Sequence, residues 1–151
     1  MKKCFLLIVF ALLAGSAVWA QPRTWQVSEY GWGQIKSAIS VAHSVPERGL
    51  GEINIPRWRK ASGTLQVDFD KREAVISMDR KKDKHFYLMT ESRPFQTRDG
   101  WSYVEYESLD DKNAGCRFWL CTHESGTQRV LILYPFYRPD TIYGYLLTPE
   151  K

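Results

Sequence analysis

A chain of 151 residues with 21 basic and 17 acidic side chains is long enough to bury one core without metal or disulfide staples. Lys2 and Lys3 fall in a leader segment, so residues 21–151 carry 19 basic against 17 acidic groups and a net charge of +2 rather than +4. That balance excludes the global cationic footprint of a nucleic-acid binder.

The leader comes first along the chain. Lys2 and Lys3 precede an apolar run from Phe5 to Ala14, too short to span a bilayer comfortably but suited to a secretory signal. Small residues follow, and Val18-Trp19-Ala20 predicts cleavage after Ala20. Leu13-Ala14-Gly15-Ser16 has serine where a lipoprotein box requires cysteine, and Cys4 lies too early to replace it. The expected product is an exported, unlipidated protein of the periplasm or extracellular space, beginning at Gln21. No later segment is apolar and long enough to cross a membrane.

Residues 21–151 read as a single domain with no repeat, linker or low-complexity tract. Within 34–45, Ile35, Ile39, Val41 and Val45 fit a strand and Ile35, Ala38, Ile39 and Ala42 a helix; interspersed serines and β-branched residues favour the strand. Gly49 to Arg57 reads as loop with one short extended piece. From Gly63, Leu65, Val67 and Phe69 alternate with Gln66, Asp68 and Asp70, which predicts a strand with one dry and one wet face. A polar turn at 71–73 leads to a strand over 74–78, a charged loop over 79–84 and another strand over 85–90.

Pro94 and Gly100 interrupt the pattern before strands over 101–108, 116–123, 128–136 and 141–147, joined by short polar turns. Short connections favour antiparallel neighbours, so the C-terminal half is expected to be a meander. The fold class is therefore all-β: one antiparallel domain of about eight to ten strands, a curved sandwich or a barrel.

Export permits disulfides, but Cys116 and Cys121 are five apart in a strand-like stretch. On a continuous strand they face opposite sides, roughly 16 Å apart, against the roughly 7 Å limit for a disulfide. Two reduced, buried thiols are expected. Metal chemistry has weak support: Cys121 and His123 share a face without further ligands, and His123-Glu124 lacks the second histidine of a zinc-protease motif. Asp111, Asn113 and Gly115 lack the downstream glutamate of a calcium loop. No phosphate loop, dinucleotide fingerprint or nucleophile elbow is present, and no cofactor is indicated.

Glu105 and Glu107 share a strand face with Trp101 and Tyr103, a pair that could perform acid/base chemistry on a glycan or simply sit on the wet face. The most suggestive surface feature is basic. Arg57, Trp58, Arg59 and Lys60 enter the first hairpin, and Arg80, Lys81, Lys82 and Lys84 leave it. In an antiparallel pair those ends are adjacent, so both runs are expected on one edge, able to hold a small or anionic ligand such as an anionic glycan, a lipid headgroup, or an acidic protein surface. Plain solubility is the other use of such charge. Aromatics abound, and they must fill a core or line a barrel cavity. The leading expectation is an exported, non-catalytic binding protein. A protein-interaction or inhibitor module and a glycan hydrolase using Glu105 and Glu107 are the alternatives.

Overall fold

The computed structural model describes residues 22–35, 49–50, 53, 55, 57–135 and 140–149. The expected leader over 1–20, and the expected strand over 34–45 beyond Ile35, lie outside the described residues. Nine strands follow in order: β1 (Arg23–Ile35), β2 (Trp58–Asp68), β3 (Glu73–Met78), β4 (Lys84–Glu91), β5 (Phe95–Gln96), β6 (Trp101–Asp110), β7 (Gly115–His123), β8 (Gln128–Tyr134) and β9 (Asp140–Pro149).

All pairings are antiparallel, in the order β4-β3-β2-β1-β9-β8-β7-β6, and β4 pairs with β6 to close an eight-stranded barrel. The short β5 adds to β6 below β4. Consecutive strands from β6 to β9 form the expected meander. The strand β1 was not anticipated over Arg23–Gly33, because a bulge between Val27 and Glu29 breaks its alternation. Likewise β2 starts at Trp58, so the first basic run is strand rather than approach to one.

Closure removes all but short sheet edges and gives every long strand two neighbours. One end of the barrel holds the last residues of β1, β3, β6 and β8, with the turns over 79–83 and 111–114. At the other end lie both described termini and the turns over 69–72, 92–100 and 124–127.

Alternation sorts side chains to two dry regions. Inside the barrel, Trp25, Val27, Leu65, Val67, Ile76, Phe86, Phe118, Ile132 and Tyr145 fill the lumen. A second core lies outside the wall, where Tyr103, Trp119, Cys121, Leu131, Leu133 and Ile142 are covered by Leu50, Ile53 and Ile55. The described residues of the segment read as loop therefore lie as a strap over one flank. It is tied at Leu50, whose N–H donates to Asp99 Oδ1 (3.1 Å) and whose carbonyl accepts from Arg129 Nη2 (3.3 Å).

One hydrogen-bonded row explains how the strap fits. Trp58 pairs with Gly31, Gly31 with Gly144, Gly144 with Leu131, Leu131 with Trp119 and Trp119 with Glu105. The two glycines leave a shallow trough in that row. A Cβ at Gly31 would come within 2.9 Å of the Arg57 carbonyl oxygen and 3.3 Å of Trp58 Cδ2. One at Gly144 would overlap Ile55 Cδ1 and come within 2.7 Å of Trp58 Cη2.

The cysteines follow the same alternation. Cys116 belongs to the lumen and Cys121 to the outer core, so they occupy opposite faces and are both free and buried. Burial pushes each thiol up to about 12, which keeps it protonated and unreactive near neutral pH.

Candidate functional site at the barrel mouth

The end of the barrel carrying the 79–83 and 111–114 turns opens into a cup of about 380 Å³. Below it the lumen is filled by side chains such as Phe86, Phe118 and Ile132, and two further openings, of about 670 and 140 Å³, lie at the opposite end of the barrel. The lining includes Lys82, Lys84, Phe86, Asp110, Tyr134 and Tyr143.

The period of two in β9 places Tyr143 and Tyr145 on the inward face, between Ile142 and Gly144 on the outward one. Tyr134, near the end of β8, meets Tyr143 edge to face with ring centroids 5.9 Å apart. Across the wall, Trp32 pairs with Tyr143 and Tyr30 with Tyr145, so these β1 side chains share the same face. The mouth is thus walled on one side by aromatics, most of them with a polar tip.

Lys84 opens β4 and is exposed as a residue, yet its ammonium turns into the cup. Nζ lies 4.5 Å from the Tyr143 ring centroid and donates to Tyr145 Oη at 3.3 Å. Desolvation pulls its pKa below the ordinary lysine value; the nearby Lys81 adds to this, while Asp111 and Asp110 oppose it. Burial acts in the other direction on Tyr145, raising its pKa and keeping its hydroxyl protonated.

Asp110 anchors the opposite wall. Its Oδ1 accepts from the backbone N–H groups of Lys112 and Ala114, both at 2.9 Å, and its Oδ2 accepts from Tyr134 Oη at 3.1 Å. Asn113 takes the left-handed conformation in that turn (φ 58°), a geometry asparagine tolerates better than most residues. The carboxylate is buried but its oxygens are engaged, so it stiffens the wall.

The two basic runs do meet. Arg59 is the cross-strand partner of Tyr30, and Lys81 Nζ lies 4.0 Å from the Tyr30 ring centroid. A hydrogen bond and charge from Lys81, with smaller contributions from Arg59, lower the Tyr30 pKa. The loop that brings Lys81 there is fixed by Asp79 N–H to the Ser62 carbonyl (3.0 Å) and passes through Arg80 at φ 60°. Of the expected residues, Lys82 and Lys84 line the cup. Arg57, Trp58, Arg59, Lys60, Arg80 and Lys81 are exposed around its rim.

The carboxylate pair lies elsewhere. Glu105 and Glu107 share the outward face of β6, away from the cup. Glu105 accepts from Trp119 Nε1 at 2.6 Å and from Arg117 Nη1 at 3.1 Å through both oxygens, while Glu107 is exposed. The mouth residues Tyr30, Trp32, Tyr134, Tyr143 and Tyr145 were not singled out by the sequence. The alternation of Tyr143 and Tyr145 with smaller apolar residues was the available signal, since tyrosines facing a lumen need somewhere wet for their hydroxyls.

No protein-family model, curated protein or solved structure matches the chain. Its site must be read from its own residues. No helix among the described residues is long and apolar enough to cross a membrane.

Proposed function

We propose that this is an exported, non-catalytic binding protein that holds a small anionic ligand in the barrel mouth. The observation that carries the reading is the Lys84 ammonium, drawn out of solvent against the Tyr143 ring and the Tyr145 hydroxyl at the wall of a 380 Å³ cup. A partly desolvated cation is held at a cost, which an anion arriving in the cup offsets. Lys82 and Lys112 supply further donors on a lining that also carries Asp83, Asp110 and Asp111, so the anion's place is beside Lys84, and the tyrosines offer flat apolar surface beside hydroxyl groups. A small carboxylate or phosphate compound bearing a ring matches that combination.

Two observations favour binding over glycan hydrolysis. Glu105 is already committed to Arg117 and Trp119, and it faces away from the cup. A protein-interaction or inhibitor role would instead draw on Arg57, Lys60 and Arg80, the rim cations outside the cup. Export to the periplasm or extracellular space rests on the leader at residues 1–20.

The test is native mass spectrometry on mature protein purified from its own host, paired with fluorescence titration by inorganic phosphate and glucuronate. The expected result is a retained anionic species, or saturable quenching by one of the two probes, that disappears in Lys84→Met. That substitution keeps length and removes a cation held partly out of water, so the fold should survive it. Absence of both a retained species and quenching would refute the reading, as would a ligand held equally well by Lys84→Met.

A further inference from the structure

We propose that the mouth end of the barrel docks on an anionic membrane surface, independently of whether the cup holds a ligand. The two ends of the barrel differ in charge. Arg57, Arg59, Lys60, Arg80, Lys81 and Lys82 gather at the mouth, all exposed, and outnumber the exposed acids Asp79, Asp83 and Asp111 there. At the opposite end, acidic groups such as Asp68, Asp70, Asp99 and Glu124 are interspersed with Lys71, Arg72, Arg93 and Arg98. The field of the molecule therefore points one end toward negative charge.

Two indoles stand at that same end. Trp32 is 45% exposed and Trp58 is 36% exposed, among the largest apolar side chains left open to water. They occupy opposite sides of the β1–β2 wall: Trp32 shares the inward face with Tyr143, whereas Trp58 shares the outward row with Gly31 and Gly144. No single small ligand in the cup reaches both. Nor does the cup include Arg57, Lys60 or Arg80. A surface laid across the rim meets all of them together.

A bilayer fits this pattern better than an acidic protein does. Indole rings favour the headgroup region, where an apolar body and a polar N–H are both accommodated, and lysine and arginine gain from the negative surface potential beside them. No transmembrane helix is required, because interfacial attachment combines modest apolar insertion with several cations.

The experiment is sedimentation of the mature protein with neutral phosphatidylcholine vesicles and with vesicles containing roughly 30 mol % phosphatidylserine. Binding to the anionic vesicles alone, with a blue shift in tryptophan emission and release at about 0.5 M salt, is expected. Lys60→Gln combined with Arg80→Gln should weaken partitioning about 25-fold, taking about fivefold per cation removed near the surface. Both positions are exposed and lie outside the cup, so ligand binding should be unchanged. Trp32→Ala should reduce the blue shift.

Failure to bind anionic vesicles, equal binding to neutral ones, or indifference to the paired glutamines would each overturn the proposal. Retention on heparin or on an acidic protein, with the vesicles left unbound, would also overturn it and assign the rim to a soluble polyanion. Loss of docking with ligand binding intact, or the reverse, separates this proposal from the one for the cup.

Discussion

Gly144→Ala offers a direct test of the strap and its trough. The added methyl would overlap Ile55 Cδ1 and approach Trp58 Cη2 to 2.7 Å and Leu131 Cδ2 to 3.3 Å. Alanine in place of glycine normally stabilises by about 0.4–1 kcal/mol through the unfolded chain. Overpacking a dry contact costs about 1–3 kcal/mol, because Ile55 and Trp58 must shift and the strap with them. The second effect wins, and a net loss of about 1–2 kcal/mol is expected. Ile55→Val removes the very atom the methyl overlaps and costs about 1 kcal/mol alone. In the double variant the alanine methyl occupies the vacated space, so the losses should be less than additive by about 1 kcal/mol. Urea unfolding followed by tryptophan fluorescence, with the slope unchanged, gives all three values. A neutral Gly144→Ala, or additivity within about 0.5 kcal/mol, would show that the strap does not rest in the trough.

Stability should fall in alkali. Cys116 and Cys121 hold their protons to about 12 in the fold, against an ordinary value of 9.0, so above pH 9 the unfolded chain releases protons that the folded chain keeps. Each thiol then costs about 1.4 kcal/mol by pH 10, or about 3 kcal/mol for the pair. Lys84 acts in the opposite sense, because its lowered pKa lets stability recover as pH rises toward 10.5, but it is one partly desolvated group against two buried thiols. A denaturation midpoint that stays flat from pH 8 to about 10 would contradict this balance. Both thiols should resist alkylation until the protein is unfolded, and reduction should leave the intact mass unaltered. Glu105→Ala should cost about 2 kcal/mol, since it strands the buried Trp119 N–H and removes the Arg117 partner. Glu105→Gln, which retains an acceptor for the indole, should cost about half as much in the same unfolding assay.

Local alternation made the all-β class, the C-terminal meander and the opposite faces of Cys116 and Cys121 legible, because side-chain direction along a strand depends only on parity. The nearness of the two basic runs followed in the same way from one antiparallel pairing. Parity also placed Glu105 and Glu107 on one face, but it gave no sign that Arg117 and Trp119 would claim Glu105, since that contact joins β6 to β7. The strap was hidden for a related reason: only Ile53 and Ile55 have strand spacing, and the seat of Ile55 depends on glycines at 31 and 144, distant from it in the chain.

Closure was likewise a tertiary decision. Pairing of β4 with β6 chooses a barrel over a sandwich, and it depends on accumulated twist and bulges rather than on any single motif. The mouth exists only because closure brings the ends of β1, β4, β6, β8 and β9 around one opening. The basic clusters could thus be read residue by residue. The tyrosine-walled cup, with Lys84 turned inward, required a structure in which five strands end together.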